Sequence, residues 1–319
     1  MRFLAGLLLG LLLNAAHAQG WPARPITLII PFPPGGSTDI VGRIAAEGLA
    51  RELGQPFVVD NRGGAGGAIG AKAIAEAAPD GYTLGVATVS THVVNPVVRG
   101  AALGYDALAD FTFISQIAAV PNVLAIHPSV PARNMDEFIL YAKQNPGRLN
   151  FGTPGSGSLG HLIGETFKHA AKVDMVHVPY KGAAPALNDT LAGHIQVLFD
   201  NLPSSLPHIQ AGKLRALAVA SERRVPALPN VPTFAEVGLP QVNDPSWFGL
   251  VAPARLPAEI AARVHAALVR TLQQSETLKR LDAVAATPVG NAPGQFRGSV
   301  AASIEASRRI AAESGLRFD

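Results

Sequence analysis

Three glycine-rich turns carry the residue types and spacing in this chain that are best suited to binding chemistry. Each turn follows an apolar run and precedes a helical pattern. They are residues 33–39 (Pro-Pro-Gly-Gly-Ser-Thr-Asp), 62–68 (Arg-Gly-Gly-Ala-Gly-Gly-Ala) and 153–158 (Thr-Pro-Gly-Ser-Gly-Ser). A helix N-terminus offers unpaired backbone N–H groups and the positive end of the helix dipole, so each turn can hold an anion.

The polar residues of the first and third turns favour a ligand-binding role. Ser, Thr and Asp stand beside the glycines in these two turns, and hydroxyl groups add donors to those of the backbone. For the second turn two interpretations stay open, a tight turn or a ligand contact. In open α/β sheets such turns lie at the carboxyl ends of strands, where ligands bind.

The third turn also matches the dinucleotide-binding fingerprint, through Gly155, Gly157 and Gly160. That fingerprint needs an acidic residue that closes the next strand, roughly 20 residues further on, to hold the ribose. Asp174 has this distance but precedes its strand. We therefore predict no nicotinamide cofactor, and the sequence indicates no other cofactor.

Signals for catalysis and for metal binding are weak. No Gly-x-Ser-x-Gly nucleophile elbow is present. Asp39 and Asp200 could form an acid/base pair, although nothing local brings them together. The chain has no cysteine and no His-Glu-x-x-His motif, and His161 and Glu165 are better explained as a surface pair than as metal ligands. The sequence therefore predicts neither an enzyme nor a metal site.

Short apolar, β-branched runs alternate with helical patterns along the chain. Helical spacing begins after Ser37-Thr38 and again after Ser158, at residues that can cap a helix. The predicted strands are residues 26–31, 57–60, 82–88, 111–117, 123–127, 149–152, 175–179, 195–199, 214–220 and 246–251. This β-α-β-α rhythm predicts an α/β fold with open parallel sheets.

The rhythm occurs twice, which predicts two α/β lobes. After residue 220 come a proline-rich loop, one strand-like run and two long helical patterns, 257–274 and 294–312, which hold too little strand for a third lobe. We therefore predict a discontinuous first lobe, residues 19–117 plus 221–319, with an inserted second lobe, residues 118–220. Two crossover segments would then form a hinge.

The first 18 residues have the pattern of a secretory signal peptide. Arg2 precedes an apolar run over residues 3–13, and Ala16 and Ala18 provide the small residues of a cleavage site. The run is shorter than the ~20 residues that a membrane-spanning helix needs. The pattern predicts cleavage after Ala18 and export to the periplasm. The net charge is only +3, and no basic run indicates nucleic-acid binding.

Motifs spread over nearly the whole chain resemble one family, the solute-binding receptors of tripartite tricarboxylate transporters, often called Bug receptors. The longest are Pro-Asp-Gly-Tyr-Thr-Leu (79–84), His-Val-Pro-Tyr-Lys-Gly (177–182) and Gly-Lys-Leu-Arg-Ala-Leu-Ala-Val (212–219). Shorter matches lie at 21–22 with 25–28, 31–39, 53–56, 61–62, 64–67, 95–96, 151–152, 157–158 with 161–162, 185–187, 228–229 with 231–233, and 247 with 252–253. Each motif is weak alone, but their order along the chain is specific.

The resemblance implies a periplasmic-binding-protein type II fold, in which two α/β lobes close on a ligand cleft. It implies that the first and third turns face each other across this cleft and hold a ligand carboxylate through backbone N–H groups and hydroxyls. Asp39 would accept from a hydroxyl or amino group of the ligand, and Lys181 is either a further contact or a surface lysine. The implied ligand-binding residues are Gly35, Gly36, Ser37, Asp39, Thr153, Ser156 and Ser158, with Ser90 and Asp200 as further candidates.

The function that the resemblance implies is a monomeric receptor that captures a small carboxylate and delivers it to integral membrane transporter subunits. Two other functions remain open from the residues. A periplasmic sensor would use the same cleft to signal to a membrane partner, and an exported hydrolase would need a nucleophile with an adjacent base. The sequence does not identify the ligand.

Overall fold

The computed structural model describes residues 20–243 and 245–314. The predicted signal peptide and its cleavage site lie outside these residues. The strands are β1 (Ile26–Ile30), β2 (Phe57–Asn61), β3 (Thr83–Thr88), β4 (Phe111–Val120), β5 (Asn122–Ile126), β6 (Asn150–Thr153), β7 (Val176–Pro179), β8 (Val197–Asn201), β9 (Arg215–Ala220), β10 (Ser246–Pro253) and β11 (Thr287–Pro288). The helices are α1 (Ser37–Leu53), α2 (Ala68–Ala75), α3 (Asn95–Arg99), α4 (Met135–Gln144), α5 (Leu159–Ala171), α6 (Ala183–Leu191), α7 (Leu202–Gln210), α8 (Ala258–Gln273), α9 (Ser275–Asp282) and α10 (Pro293–Ser314).

The strands form two sheets, which we use to name the lobes. Lobe 1 contains the sheet β11-β4-β10-β3-β1-β2, and lobe 2 contains the sheet β7-β6-β8-β5-β9. The chain passes from one sheet to the other at Pro121 and returns through residues 221–245. The lobe boundaries at residues 118 and 220 stay a prediction, and β4 continues through residue 118 to Val120.

Both sheets are mixed, so the prediction of parallel sheets was wrong. Strand β1 is parallel to β2 and β3, but β10 is antiparallel to β3 and β4. In lobe 2, β6 is parallel to β7 and β8, but β5 is antiparallel to β8 and β9. Parallel neighbours need a crossover connection, usually a helix. Only Pro121 separates β4 from β5, and the antiparallel strands β5 and β10 are those that follow the two passages between the sheets.

The core of each lobe places the helix starts relative to the strand ends. In lobe 1 the fully buried residues Leu28 and Ile30 of β1 pack with Val41 and Leu49 of α1 in one apolar cluster. In lobe 2 the ring of Phe167 on α5 lies 5.8 Å from that of Phe199 on β8. These contacts fix the first turn of each helix at the edge of its sheet.

The segment that returns to lobe 1 packs first on lobe 2. Val225 and Leu228 belong to the apolar cluster that contains Leu198 and Leu206. Within residues 20–243 and 245–314, no helix is both long enough and apolar enough to cross a membrane.

Candidate functional site

Four helices begin at one crevice between the lobes. Helix α1 comes from lobe 1, and α5, α6 and α7 come from lobe 2. Their N-caps are Gly36, Ser158, Gly182 and Asn201. The crevice is lined by Phe32, Gly36, Ser37, Thr38, Thr88, Ser90, Ser246 and Phe248 of lobe 1 and by Asn122, Pro154, Leu159, Gly160, Ala183, Phe199, Asp200 and Asn201 of lobe 2. Its cavity of about 20 Å³ has room for roughly one water molecule.

Several backbone donors at these helix starts have no acceptor in the described part of the protein. The N–H groups of Ser37, Thr38 and Asp39 at the start of α1 make no hydrogen bond, whereas that of Ile40 donates to the Gly36 carbonyl at 3.0 Å. In lobe 2 the N–H groups of Gly160 and Ala183 likewise have no acceptor among the described residues. Unpaired donors at a helix start attract an anion, because the helix dipole adds to their charge.

The first turn is shaped by Asp39, which folds back onto it. Its carboxylate accepts hydrogen bonds from the Gly35 N–H at 3.0 Å, from Asn61 Nδ2 at 2.9 Å and from Arg43 Nε at 2.9 Å. Burial raises the pKa of Asp39, but the bonds from Arg43, Gly35 and Asn61 outweigh it and hold that pKa below its usual value. Asp39 does not line the cavity. A direct contact of Asp39 with ligand stays a prediction, and its contacts in this structure are with its own turn.

The third turn is held by its own side chains and by two histidines. Thr153 Oγ1 accepts the Gly155 N–H at 3.2 Å and lies 2.7 Å from His177 Nε2. Ser158 Oγ caps α5 by accepting the His161 N–H at 3.3 Å. The predicted residues Thr153 and Ser158 are therefore fully buried and sit behind the crevice surface, where they fix the path of the turn.

His161 and His177 stack beneath this turn with ring centroids 4.0 Å apart. Burial lowers the pKa of His161 and, helped by the nearby His161 and Lys168, lowers that of His177 to about 3, so both rings are neutral near pH 7. His161 is only 4% exposed, and Glu165 forms an ion pair with Lys168. The interpretation of His161 and Glu165 as a surface pair was therefore wrong, because the sequence does not show that this face of α5 packs on β7.

Hydroxyl groups join the lobes across the crevice. Ser37 Oγ lies 2.9 Å from the Asn201 carbonyl oxygen, 2.7 Å from Ser204 Oγ and 3.0 Å from the Ser204 N–H, which donates to it. Ser90 Oγ accepts the Leu159 N–H, the first of α5, at 3.0 Å. The sequence candidates Ser37 and Ser90 thus touch the starts of α7 and α5 in the opposite lobe.

The second turn forms the rim of the same contact. Arg99 donates from its Nη2 to the Ser156 carbonyl of lobe 2 at 3.2 Å, and its Nε bonds Asn95 Oδ1 at 2.8 Å. Asn95 in turn donates to the Gly66 carbonyl at 2.9 Å. A Cβ placed on Gly66 would lie 2.8 Å from the Ser156 carbonyl oxygen. The second turn therefore contacts the third turn directly, without lining the cavity.

Asp200 is the only titratable side chain in the lining of the described crevice. It is 3% exposed. It accepts Ser204 Oγ at 2.6 Å, Ser205 Oγ at 2.7 Å and the Asn201 N–H at 2.8 Å. Burial raises its pKa, against these three hydrogen bonds.

The predicted site residues divide into three groups. Gly36, Ser37, Ser90 and Asp200 line the cavity, whereas Gly35, Asp39, Thr153, Ser156 and Ser158 build or flank the two turns behind it. Lys181 is exposed and lies outside the lining. Among the described residues, no group of three or more His, Cys, Asp or Glu is placed to hold a metal ion.

Several residues of the site were missed from the sequence. Asn201, which lines the crevice, and Ser204, which bonds Ser37, belong to a fourth strand-to-helix junction, Asp-Asn-Leu-Pro-Ser-Ser at 200–205, which lacks glycine. Its polar residues between an apolar strand and a proline in the first helical turn were a usable signal. Asn122 and Ser246 lie at the two passages between the sheets, and no local pattern marks them.

Comparison with known proteins agrees with this architecture. The family model of tripartite tricarboxylate transporter family receptors matches residues 41–316. The chain is 38% identical over 301 residues to protein BugT of Bordetella pertussis, covering 94% of this chain and 92% of BugT.

Solved structures extend the comparison to the fold. A structure described as a periplasmic transporter has a TM-score of 0.92 and 44% identity, covering 94% of this chain and all of its own. A protein of R. palustris solved with adipate has a TM-score of 0.89 and 38% identity, covering 93% of this chain and 99% of its own. The predicted two-lobed periplasmic-binding-protein fold is confirmed.

Proposed function

Since the chain belongs to the tripartite tricarboxylate transporter receptor family, we propose that it captures a small carboxylate-bearing solute in the periplasm and delivers it to membrane transporter subunits. The observation that carries this proposal is the set of unpaired N–H groups where α1, α5 and α6 begin at one crevice. Among the residues that the structure describes, no lysine, arginine or histidine lines that crevice, so the helix starts are its source of positive potential. The relative with adipate supports a carboxylate as the ligand class.

Binding requires the lobes to separate and close again. A cavity of about 20 Å³ has room for about one water molecule, and therefore not for a carboxylate with its carbon skeleton. A bound carboxylate would take the Leu159 N–H from Ser90 and pair with the free donors of Ser37 and Thr38. Each such charge-assisted hydrogen bond contributes about 1.5–3 kcal/mol. Ligand therefore shifts the population from open to closed forms.

The proposed function also includes export of the protein to the periplasm and binding of the ligand without chemical conversion. Residues 1–18 direct the chain to the periplasm as a cleaved signal peptide, and a single copy of the chain holds the whole crevice. Asp39 and Asp200 share no hydrogen-bond partner, and no nucleophile with an adjacent base lines the described crevice. These observations favour a receptor over a hydrolase; a sensor with the same crevice would bind the same ligands.

A thermal-shift screen over small mono-, di- and tricarboxylic acids tests the proposal. A cognate acid at 100 times its Kd should add about 2.7 kcal/mol of stability, and the matched primary amide or alcohol should add little. Overnight incubation followed by recovery of the intact acid separates a receptor from an enzyme. Stabilisation by none of the acids, or equal stabilisation by the uncharged analogues, would overturn the proposed function.

A further inference from the structure

Asp200 is a buried carboxylate in the crevice with no cationic partner. It is 3% exposed, and none of the ion pairs within residues 20–243 and 245–314 includes it. Its three donors are two hydroxyls and one backbone N–H. An acidic side chain of the protein therefore lies in a crevice whose helix starts favour a negative ligand.

The hydrogen bonds of Asp200 leave room for one more donor. A carboxylate accepts at about four positions. Oδ2 takes the hydroxyls of Ser204 and Ser205, whereas Oδ1 takes only the Asn201 N–H. One acceptor position on Oδ1 is therefore left unfilled by the described residues, on a side chain that lines the cavity.

Asp200 is also close to the start of α1. Ser204 Oγ lies 2.6 Å from Asp200 Oδ2 and 3.2 Å from the Asn201 carbonyl oxygen, and the shorter, charge-assisted bond takes its proton. The same Ser204 Oγ lies 2.7 Å from Ser37 Oγ. A single hydroxyl thus separates Asp200 from the residue that begins α1.

A carboxylate bound at the start of α1 would therefore lie beside Ser37, whose Oγ is two hydrogen bonds away from the Asp200 carboxyl group. Two carboxyl groups this near to each other repel strongly when both are ionised and water is excluded. A donor carried by the solute, placed between the two carboxylates, fills the open position on Oδ1 and offsets the repulsion. A methylene group at the same position cannot donate a hydrogen bond, so it neither fills the open position on Oδ1 nor offsets the repulsion.

Resting on the proposed function, we propose that Asp200 determines specificity by accepting a hydrogen bond from a hydroxyl or ammonium group on the carbon next to the bound carboxylate. The solute class is then a 2-hydroxy or 2-amino carboxylate. A second carboxylate of such a solute lies away from Asp200.

Matched sets of acids test this selection on the wild-type chain. Titration calorimetry would compare succinate with malate and aspartate, and propanoate with lactate and alanine. We expect at least one substituted acid to bind at least tenfold more tightly than its unsubstituted parent. Equal affinity within both sets would overturn the selection. Binding of none of the six, while the wider screen still finds a carboxylate, would overturn it too and leave the proposed function standing.

The variant Asp200→Asn tests the residue itself. The amide keeps an acceptor oxygen but loses the charge, so the preference for the 2-amino acid over its parent should fall at least tenfold. Asp174→Asn, at an exposed aspartate of the same lobe, is the matched control and should keep the wild-type preference. An Asp200→Asn protein that folds and retains the full preference would contradict the assignment.

Discussion

At the residue scale, the surroundings of two buried carboxylates push their protonation in opposite directions. Arg43, the Gly35 N–H and Asn61 overcome burial at Asp39 and lower its pKa, whereas burial dominates at Asp200 and raises it. The Arg43 partner at i+4 was visible in the sequence, but Asn61 comes from β2. The sequence around Asp39 thus predicts that this residue is charged, but it does not predict that Asp39 lies behind the turn.

Replacing Asp39 should weaken binding through the shape of the first turn. In Asp39→Ala the Gly35 N–H loses its acceptor, and Arg43 and Asn61 lose a shared partner. We expect a Kd at least tenfold higher by titration calorimetry and a lower Tm. Asp60→Ala removes an exposed ion pair with Arg62 on the same lobe and should change neither. Unchanged affinity in Asp39→Ala would contradict this role.

His92 should make stability depend on pH. It is fully buried between Thr91 and Phe111, and burial lowers its pKa from 6.5 to about 3. Between pH 6.5 and pH 3 the His92 ring is protonated in the unfolded chain but not in the folded chain. The free energy of unfolding is therefore highest above pH 6.5 and decreases as the pH falls. At pH 5 the loss is about 2 kcal/mol.

Urea unfolding at pH 7 and pH 5 measures this loss. His92→Leu should lose about 2 kcal/mol less than wild type over this interval, while the exposed His169→Leu should match wild type. The remaining dependence in His92→Leu comes in part from His177, whose pKa is also lowered to about 3. Identical pH dependence in His92→Leu and wild type would contradict a neutral buried ring.

At the element scale, the N-terminal ends of the helices, rather than their later turns, form the candidate site. The prediction that Ser37-Thr38 cap α1 was wrong, because both residues lie inside the helix and its N-cap is Gly36, without a side-chain hydrogen bond. The strands and the N-cap of α5 were predictable, because apolar runs and a Ser at the junction are local signals. Strand direction was not, since β5 and β10 follow passages between sheets that leave no local mark. Helix α9 (Ser275–Asp282) was also missed, because it follows α8 directly after Gln274.

Removing the N-cap of α5 should lower both the stability of the protein and its affinity for ligand. Ser158→Ala deletes the acceptor for the His161 N–H and should cost about 1 kcal/mol of stability. It should also weaken binding at least tenfold, because the third turn loses its fixed path. Asn134→Ala deletes the equivalent cap of α4, which accepts the Glu137 N–H at 2.9 Å. It should show the same loss of stability in urea unfolding with unaltered affinity, and equal affinities in both variants would contradict the distinction.

At the scale of the whole molecule, the second and third turns join the two lobes at the rim of the crevice. The residues that make this contact, Gly66, Arg99 and Ser156, lie far apart in the chain and outside the cavity lining. Glycine spacing alone predicted a turn at Gly66. That this turn meets the other lobe follows only from the assembled fold.

Gly66→Ala should impede closure. Its Cβ would lie 2.8 Å from the Ser156 carbonyl oxygen, a clash that exists only when the lobes meet. Gly212→Ala places an alanine at a similar positive φ, +69° against +62°, with nothing within 4 Å of its Cβ, so it controls for backbone strain. We expect a Kd at least tenfold higher in Gly66→Ala alone, and small-angle scattering should show a larger radius of gyration with ligand than in Gly212→Ala. Equal affinity and equal compaction in the two variants would contradict closure at this contact.

Helix starts from both lobes are proposed to hold a carboxylate together in one crevice. A crystal structure of the protein with the acid that stabilises it most in the thermal-shift screen would show whether they do. We expect carboxylate oxygens within hydrogen-bond distance of N–H groups at the start of α1 (Ser37, Thr38) and of α5 (Leu159, Gly160). A carboxylate bound elsewhere, or held by the helix starts of one lobe alone, would contradict it.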